Sequence, residues 1–250
     1  MSEKDHPAVV PHPVLAEYYD EADKRRPFVR DLFDAAAPWY EPINKVLSFG
    51  SGDRYRREAL TRHGLQAGMK VLDLATGTGV VARAARDVCG SEEGHIGLDA
   101  SIGMLLEARQ TLGLPLVKGS GDILPFRDGV FDMVTIGFAL RHFANLTSTF
   151  AEIRRVLAPG GRLLALEITP PNSRAASAFL GFYMGRVVPL AVRLWTRDDD
   201  AVQMMKYYWD TTRTCVPPDT ILDAMSEAGL SNARREVQFG SFSEYVGERV

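Results

Sequence analysis

The stretch Val71–Gly79, "VLDLATGTG", decides the fold. A short apolar run enters a turn with glycines at 77 and 79. A stretch of helical character, Val80–Val88, follows directly. A strand that feeds a glycine turn opening a helix is the first half of a β-α-β unit. The turn is unusual in one respect, because Asp73 stands inside the strand that feeds it.

Outward from this turn, strands and helices alternate. "GHIGLD" (Gly94–Asp99) reads as a strand and Ile102–Leu112 as a helix. Leu116–Lys118 and Phe131–Ile136 are the next strands. Leu146–Leu157 is a helix ended by "APGG", and Arg162–Ile168 is a fifth strand. Such alternation over Ala67–Thr169 predicts a parallel sheet covered on both faces. Upstream, Arg26–Ala37 has helical apolar spacing and is expected to stop before Pro38. "WYEPINKVLSFGSG" (39–52) then reads as turn-rich, and Asp53–His63 as a basic helix. Downstream, Ser173–Thr214 reads as a helical insert, and Pro217–Gly229 as a helix with a glycine stop. Val237–Phe239 and Glu244–Arg249 are the last strands. The expected fold class is α/β: a doubly wound, mostly parallel seven-stranded sheet, with N-terminal helices and a helical insert after strand five. Residues 1–25 are expected to be a flexible tail and 26–250 one domain, in which 173–214 caps the acceptor.

Composition excludes some partners. The 29 basic and 32 acidic residues leave a net charge of −3, so no bulk attraction to nucleic acid is expected. Cys89 and Cys215 form no metal or redox spacing, and no metal is expected. The N-terminus lacks the apolar core of a signal peptide, which points to a cytoplasmic protein. Ala178–Trp195 is the most apolar stretch. It contains Arg186, Pro189 and Arg193 and falls short of the roughly 20 apolar residues of a spanning helix. Peripheral membrane contact and a homodimer both remain open for it.

The ligand of the turn follows from its two acids. "GTGVVA" passes as a loose dinucleotide pattern, but a pyrophosphate beside the Asp73 carboxylate would be repelled. S-adenosylmethionine carries an ammonium and a sulfonium and no phosphate, so it suits such a cup. Asp99 closes the second strand about twenty residues beyond the glycines, where an acid grips a ribose.

Four blocks in order, "VLDLATGTG", "GLDAS", "LPFRDGVFD" and "RVLAPGGRLLALE", resemble the class I S-adenosylmethionine-dependent methyltransferases. "WYEPINKVLSFG", "TIGFALRHF" and "RVLAPGGRLLALEITPP" narrow the resemblance to the ubiquinone/menaquinone-biosynthesis C-methyltransferases, over about Phe33–Arg249. The chain departs from that family's pattern in three places. His142 stands where asparagine usually follows the arginine, "ATGTG" replaces "AGGTG", and "GSGDILPF" replaces "GNAEALPF".

The resemblance implies the following roles. Gly77, Thr78 and Gly79 line the methionine end above Asp73. Asp99 holds the ribose, with Ala100 beside it and Met104 against the adenine. Ser120, Gly121 and Asp122 stand at the adenine edge, with either Ser120 or Asp122 as the acceptor for its amino group. Gly137 and Phe138 run under the sulfonium, and Tyr40 reaches in from the N-terminal segment. Arg141 and His142 are the catalytic candidates, and a structural pairing of Arg141 with Glu167 is the alternative. Asn44, Phe179, Phe182 and Tyr183 are expected to line a pocket for a small aromatic or lipophilic, quinol-like substrate. O- or N-methylation on the same scaffold, or a non-catalytic cofactor-binding scaffold, are the competing functions.

Overall fold

The computed structural model describes residues 8–47, 50–171 and 173–250. Its seven strands are β1 (Val71–Leu74), β2 (His95–Asp99), β3 (Leu116–Lys118), β4 (Phe131–Gly137), β5 (Leu157–Ile168), β6 (Ser231–Gln238) and β7 (Phe242–Glu248). They form one sheet in the order β3-β2-β1-β4-β5-β7-β6. β1 to β5 are parallel, and β7 enters antiparallel to both β5 and β6. The chain winds from β1 toward β3, then returns to the other side of β1 as β4. That reversal opens a crevice at the carboxyl ends of β1 and β4, where doubly wound sheets bind ligands. All four residues of β1 are buried, as expected of a central strand.

The helices are α1 (Arg25–Leu47), α2 (Gly52–Arg62), α3 (Val80–Cys89), α4 (Ile102–Arg109), α5 (Leu146–Val156), α6 (Arg174–Phe182), α7 (Val188–Thr196), α8 (Asp199–Thr214) and α9 (Pro218–Glu227). A π turn, Tyr183–Val187, joins α6 to α7. The main core lies between the sheet and α5 and α9, with Phe150, Ile153, Ile221 and Met225 against Val134, Ile136 and Leu163. A second core packs α1 against α7 and α8 through Leu32, Ala36, Ile43, Val188 and Met205.

Three expectations are corrected. α1 does not stop before Pro38 but runs through Pro38 and Pro42 to Leu47. A proline removes one backbone hydrogen bond, and burial of Ala36 and Ile43 on either side of the break holds the helix together. Pro38 leaves the Asp34 carbonyl without its helical donor, and α4 presses on that spot: a Cβ on Gly103 would lie 2.7 Å from Asp34 O. Ser48 and Phe49 of the expected turn lie outside the described residues.

Residues 8–24, expected within a flexible tail, are laid against the domain. Val9 N donates to Asn145 Oδ1, Val216 N donates to the Pro11 carbonyl, and Tyr18 Oη donates to Asp210. His12 and Tyr19 are buried. Residues 1–7 lie outside the described residues.

β5 begins at Leu157, five residues early, because Leu157 pairs with Phe131 and Gly160 N donates to the Arg249 carbonyl.

Candidate active site

A cavity of about 500 Å³ opens at the crevice, within the size range of small-molecule sites. One end is built by the carboxyl termini of β1 and β2. Gly77 N donates to Asp99 Oδ2 at 2.8 Å, and Ser101 N donates to Asp99 Oδ1 at 2.8 Å. Both carboxylate oxygens are thereby fixed, and each keeps a lone pair for a further donor. Gly77 has φ +56°, and a Cβ there would meet nothing within 4 Å, so the turn presents a bare concave backbone. Gly79 serves packing instead: its Cβ would collide with Leu112 Cδ1. Gly77 lines the cavity, whereas Thr78 and Gly79 stand behind it. The Thr78 hydroxyl is buried without a partner.

Asp73 lies beneath the turn and outside the cavity lining. It accepts from Thr76 Oγ1 at 2.6 Å and Thr135 Oγ1 at 2.7 Å. Burial pushes its carboxyl up to about 6, against the pull of those two hydroxyls and the Ala82 amide. Asp73, expected beneath the methionine end, thus braces the turn from below and does not line the cavity.

Beyond Asp99, the wall is formed by Ala100, Met104, Ser120, Gly121, Asp122 and Phe143. Met104 is buried. Gly121 has to lack a side chain, because a Cβ would lie 2.5 Å from the Phe143 ring. Ser120 Oγ donates to Asp122 Oδ2 at 2.6 Å, and Arg26 of α1 pairs with the same oxygen at 2.6 Å. The two candidate adenine contacts are therefore one hydrogen-bonded unit, clasped by α1. Asp34 of α1 makes a second clasp, accepting from Ser101 Oγ and from Gly103 N.

The other end is aromatic. Gly137, Phe138, Phe33, Tyr40, His142 and Tyr208 line it. Gly137 has no room for a Cβ, which would meet Val81 Cγ2 at 2.6 Å. Phe138 takes φ +59° and turns its carbonyl to Arg141 Nη1 at 2.7 Å. Arg141 is wholly buried. It pairs with Glu167 at 2.5 Å, donates to Thr211, and lies 4.0 Å above the Tyr208 ring. Its Nη2 has no partner. Burial works against its charge, but Glu167 and the tyrosines around it hold the guanidinium protonated. Arg141 therefore makes the structural pair with Glu167 and still forms part of the cavity wall.

His142 departs from the expected base. It stacks on Tyr207 and meets Phe33 edge-on. Burial, with Arg141 and Arg25 nearby, drives its pKa well below 6.5, so the ring is neutral. Its Nδ1 is buried without a partner.

The expected acceptor residues do not line the cavity. Phe179 and Phe182 are 69% and 63% exposed on α6. Tyr183 stacks on Phe179. Asn44 turns back to donate to the Tyr40 carbonyl.

The model of the ubiE/COQ5 methyltransferase family matches residues 19–247. The chain belongs to that family. Among curated relatives, the demethylmenaquinone methyltransferase of Thermus thermophilus is 34% identical over 223 residues, covering 87% of this chain and all of that one. The ubiquinone/menaquinone biosynthesis C-methyltransferase UbiE of Shewanella pealeana is 34% identical, covering 84% and 85%. Among solved structures, an S-adenosylmethionine-dependent methyltransferase of Thermotoga maritima superposes with a TM-score of 0.63 at 17% identity, covering 88% and 99%. Phosphoethanolamine N-methyltransferase 2 of Haemonchus contortus, solved with S-adenosylmethionine, gives 0.55 at 14% identity, covering 78% and 52%. At these identities the likeness speaks for the fold.

This member of the ubiE/COQ5 family is an S-adenosylmethionine-dependent methyltransferase. The donor set fits that cofactor. A carboxylate with free lone pairs suits vicinal hydroxyls, Met104 and Phe143 offer apolar contact, and the open Gly77 backbone admits a close ligand. Sequence reasoning missed Arg26, Asp34, Phe143 and Tyr208. Arg26 and Asp34 sit on the polar face of an amphipathic helix, where such residues ordinarily meet only solvent. Tyr208 lies on α8, far from Arg141 in the chain.

Proposed function

We propose that this methyltransferase transfers its methyl group to a ring carbon of a hydroxylated aromatic, most suitably a quinol with a lipophilic tail. The observation that carries the reading is the aromatic end of the cavity. Phe33, Tyr40, His142 and Tyr208 form a slot for a flat ring, and Arg141 brings a buried cation with an unpartnered Nη2 to its wall. A ring carbon becomes nucleophilic when an adjacent hydroxyl ionises, and a desolvated guanidinium favours the ionised form. The relatives named as demethylmenaquinone and ubiquinone/menaquinone C-methyltransferases support the same acceptor class.

S-adenosylmethionine, when bound, supplies a methyl group on a positively charged sulfur. The chain contributes alignment and dryness, since charge is lost in the transfer and little new charge needs stabilising. Gly77, Asp99 and Met104 orient the donor, and Gly137 leaves the space beside it free of a side chain. Arg141 stabilises the phenolate oxygen. His142, held neutral, accepts a hydrogen bond from the phenol and, too weak a base to keep the proton, passes it on to solvent water. The ring proton lost after methyl transfer returns to the phenolate oxygen or leaves to water.

The test is anaerobic incubation with S-adenosylmethionine and demethylmenaquinol, with the product examined by mass spectrometry and proton NMR. The reading expects one added methyl on carbon and loss of one ring proton. Methylation on oxygen would overturn it. Tight binding of S-adenosylhomocysteine with no turnover on any phenolic acceptor would favour the scaffold reading instead.

A further inference from the structure

A helical stretch that is apolar all round is ordinarily buried all round. The run through α6, the π turn and α7 is not. Its inner side is used: Met184, Val188 and Val192 are buried in the core shared with α1 and α8. Its outer side is open. Phe179, Phe182, Leu190, Leu194 and Trp195 are exposed, Leu194 at 73%.

Charge on this run has one sign. Asp198, Asp199 and Asp200 follow directly at the start of α8, but from Ser173 to Arg197 there is no acid, in a chain whose net charge is −3, and the charged residues are Arg174, Arg186, Arg193 and Arg197. All four are exposed. Among the described residues none of their side chains takes part in a hydrogen bond or an ion pair. Most exposed arginines elsewhere are paired, as Arg54 is with Glu58 and Arg155 with Glu152; Arg109 and Arg127, scattered singly on the surface, are exceptions. Large apolar side chains interleaved with unpaired arginines, and a tryptophan near one end, suit the headgroup region of an anionic bilayer.

We propose that the outer face of α6 and α7 docks on an anionic phospholipid bilayer, lying in the plane of the interface. The run Arg174–Thr196 is 23 residues long and holds an 18-residue window of mean hydropathy 1.4, long and apolar enough to cross a membrane. Crossing would strip Met184, Val188 and Val192 from the core and take Arg186 and Arg193 into hydrocarbon. Lying flat keeps the inner contacts, buries the exposed leucines and phenylalanines, and leaves each arginine at phosphate level. The docking surface does not depend on the identity of the methyl acceptor.

The experiment is vesicle flotation of the full chain, with phosphatidylglycerol/phosphatidylcholine vesicles against phosphatidylcholine alone. Tryptophan emission is read alongside, with Trp195→Phe as the reporter control. The wild type floats with the anionic vesicles, less so at high salt, with a blue shift that Trp195→Phe diminishes. Leu190→Asp/Leu194→Asp lowers the bound fraction about tenfold or more. Arg186→Glu/Arg193→Glu does so on anionic vesicles. Unchanged melting and S-adenosylhomocysteine binding certify the fold of each variant, and Phe179→Ser/Phe182→Ser replaces any that fails. The proposal is overturned if the wild type stays soluble with anionic vesicles, or if folded variants float as well as the wild type. It is also overturned if the wild type is a dimer that Leu190→Asp/Leu194→Asp splits, which would give this face to a second copy.

Discussion

Gly77 donates its backbone N–H to the Asp99 carboxylate at 2.8 Å, so the turn after β1 and the acid at the end of β2 are one unit. The same carboxylate accepts from Ser101, whose hydroxyl donates to Asp34 on α1. A chain of hydrogen bonds thus joins the glycine cup to the helix that covers it.

The two glycines of the turn should separate by experiment. Gly77→Ala forces a Cβ onto left-handed backbone but into open space, so its stability cost is about 1 kcal/mol. That Cβ stands where the ligand approaches, and affinity for S-adenosylhomocysteine falls by more than the melting shift would suggest. Gly79→Ala drives a Cβ into Leu112 and loses stability first. Melting curves and calorimetric Kd values on both variants check the contrast.

Arg141 and Glu167 form a buried pair, and removing one partner strands the other. Arg141→Ala should cost about 3–5 kcal/mol in urea unfolding. Arg141→Lys keeps a cation, so it should retain most of the stability while lowering kcat. A kcat equal to that of the wild type in a folded Arg141→Lys enzyme would remove Arg141 from the reaction.

Asp73 predicts a pH effect. Its folded pKa, about 6, lies above the ordinary 3.8. Between these values the folded chain holds the proton more tightly than the unfolded chain. The contribution to stability is therefore present in full below the ordinary carboxylate value and is lost as pH rises through about 6. A pKa raised this far corresponds to about 3 kcal/mol at most. Other carboxylates titrate in the same window, so the readout is the stability difference between wild type and Asp73→Asn. That difference should favour the wild type more at about pH 4 than at about pH 7.

The Arg26–Asp122 pair spans from α1 to the Ser120–Asp122 wall of the cavity, with the Arg26 side chain 60% exposed. Arg26→Ala should change stability by less than about 1 kcal/mol. It should speed release of S-adenosylhomocysteine, as seen by stopped-flow, because one clasp of the covering helix is gone.

The parallel sheet was legible from the sequence because its strands and glycine turn are written locally, in short apolar runs. Asp99 was legible from its distance past the turn, and Met104 entered through the family resemblance; both line the cavity. α1 was not, because two prolines argue for a stop and only packing against α7 and α8 carries the helix through. Phe179 and Phe182 have the spacing of a lining face, but periodicity does not say which side of a helix meets a cavity. His142 resembled a base because the burial that lowers its proton affinity most, beyond the pull of Arg141, Arg25 and His12, comes from packing against distant parts of the chain.

The central claim is that the Gly77–Asp99 unit holds the phosphate-free nucleoside shared by S-adenosylmethionine and S-adenosylhomocysteine. Calorimetric titration of S-adenosylhomocysteine into the wild type and Asp99→Ala tests it most directly, with melting curves to confirm the fold. The predicted result is one site per chain, weakened by about 1.5–3 kcal/mol, roughly 10- to 150-fold, in Asp99→Ala. No binding by the folded wild type, or equal affinity in folded Asp99→Ala, would contradict the account.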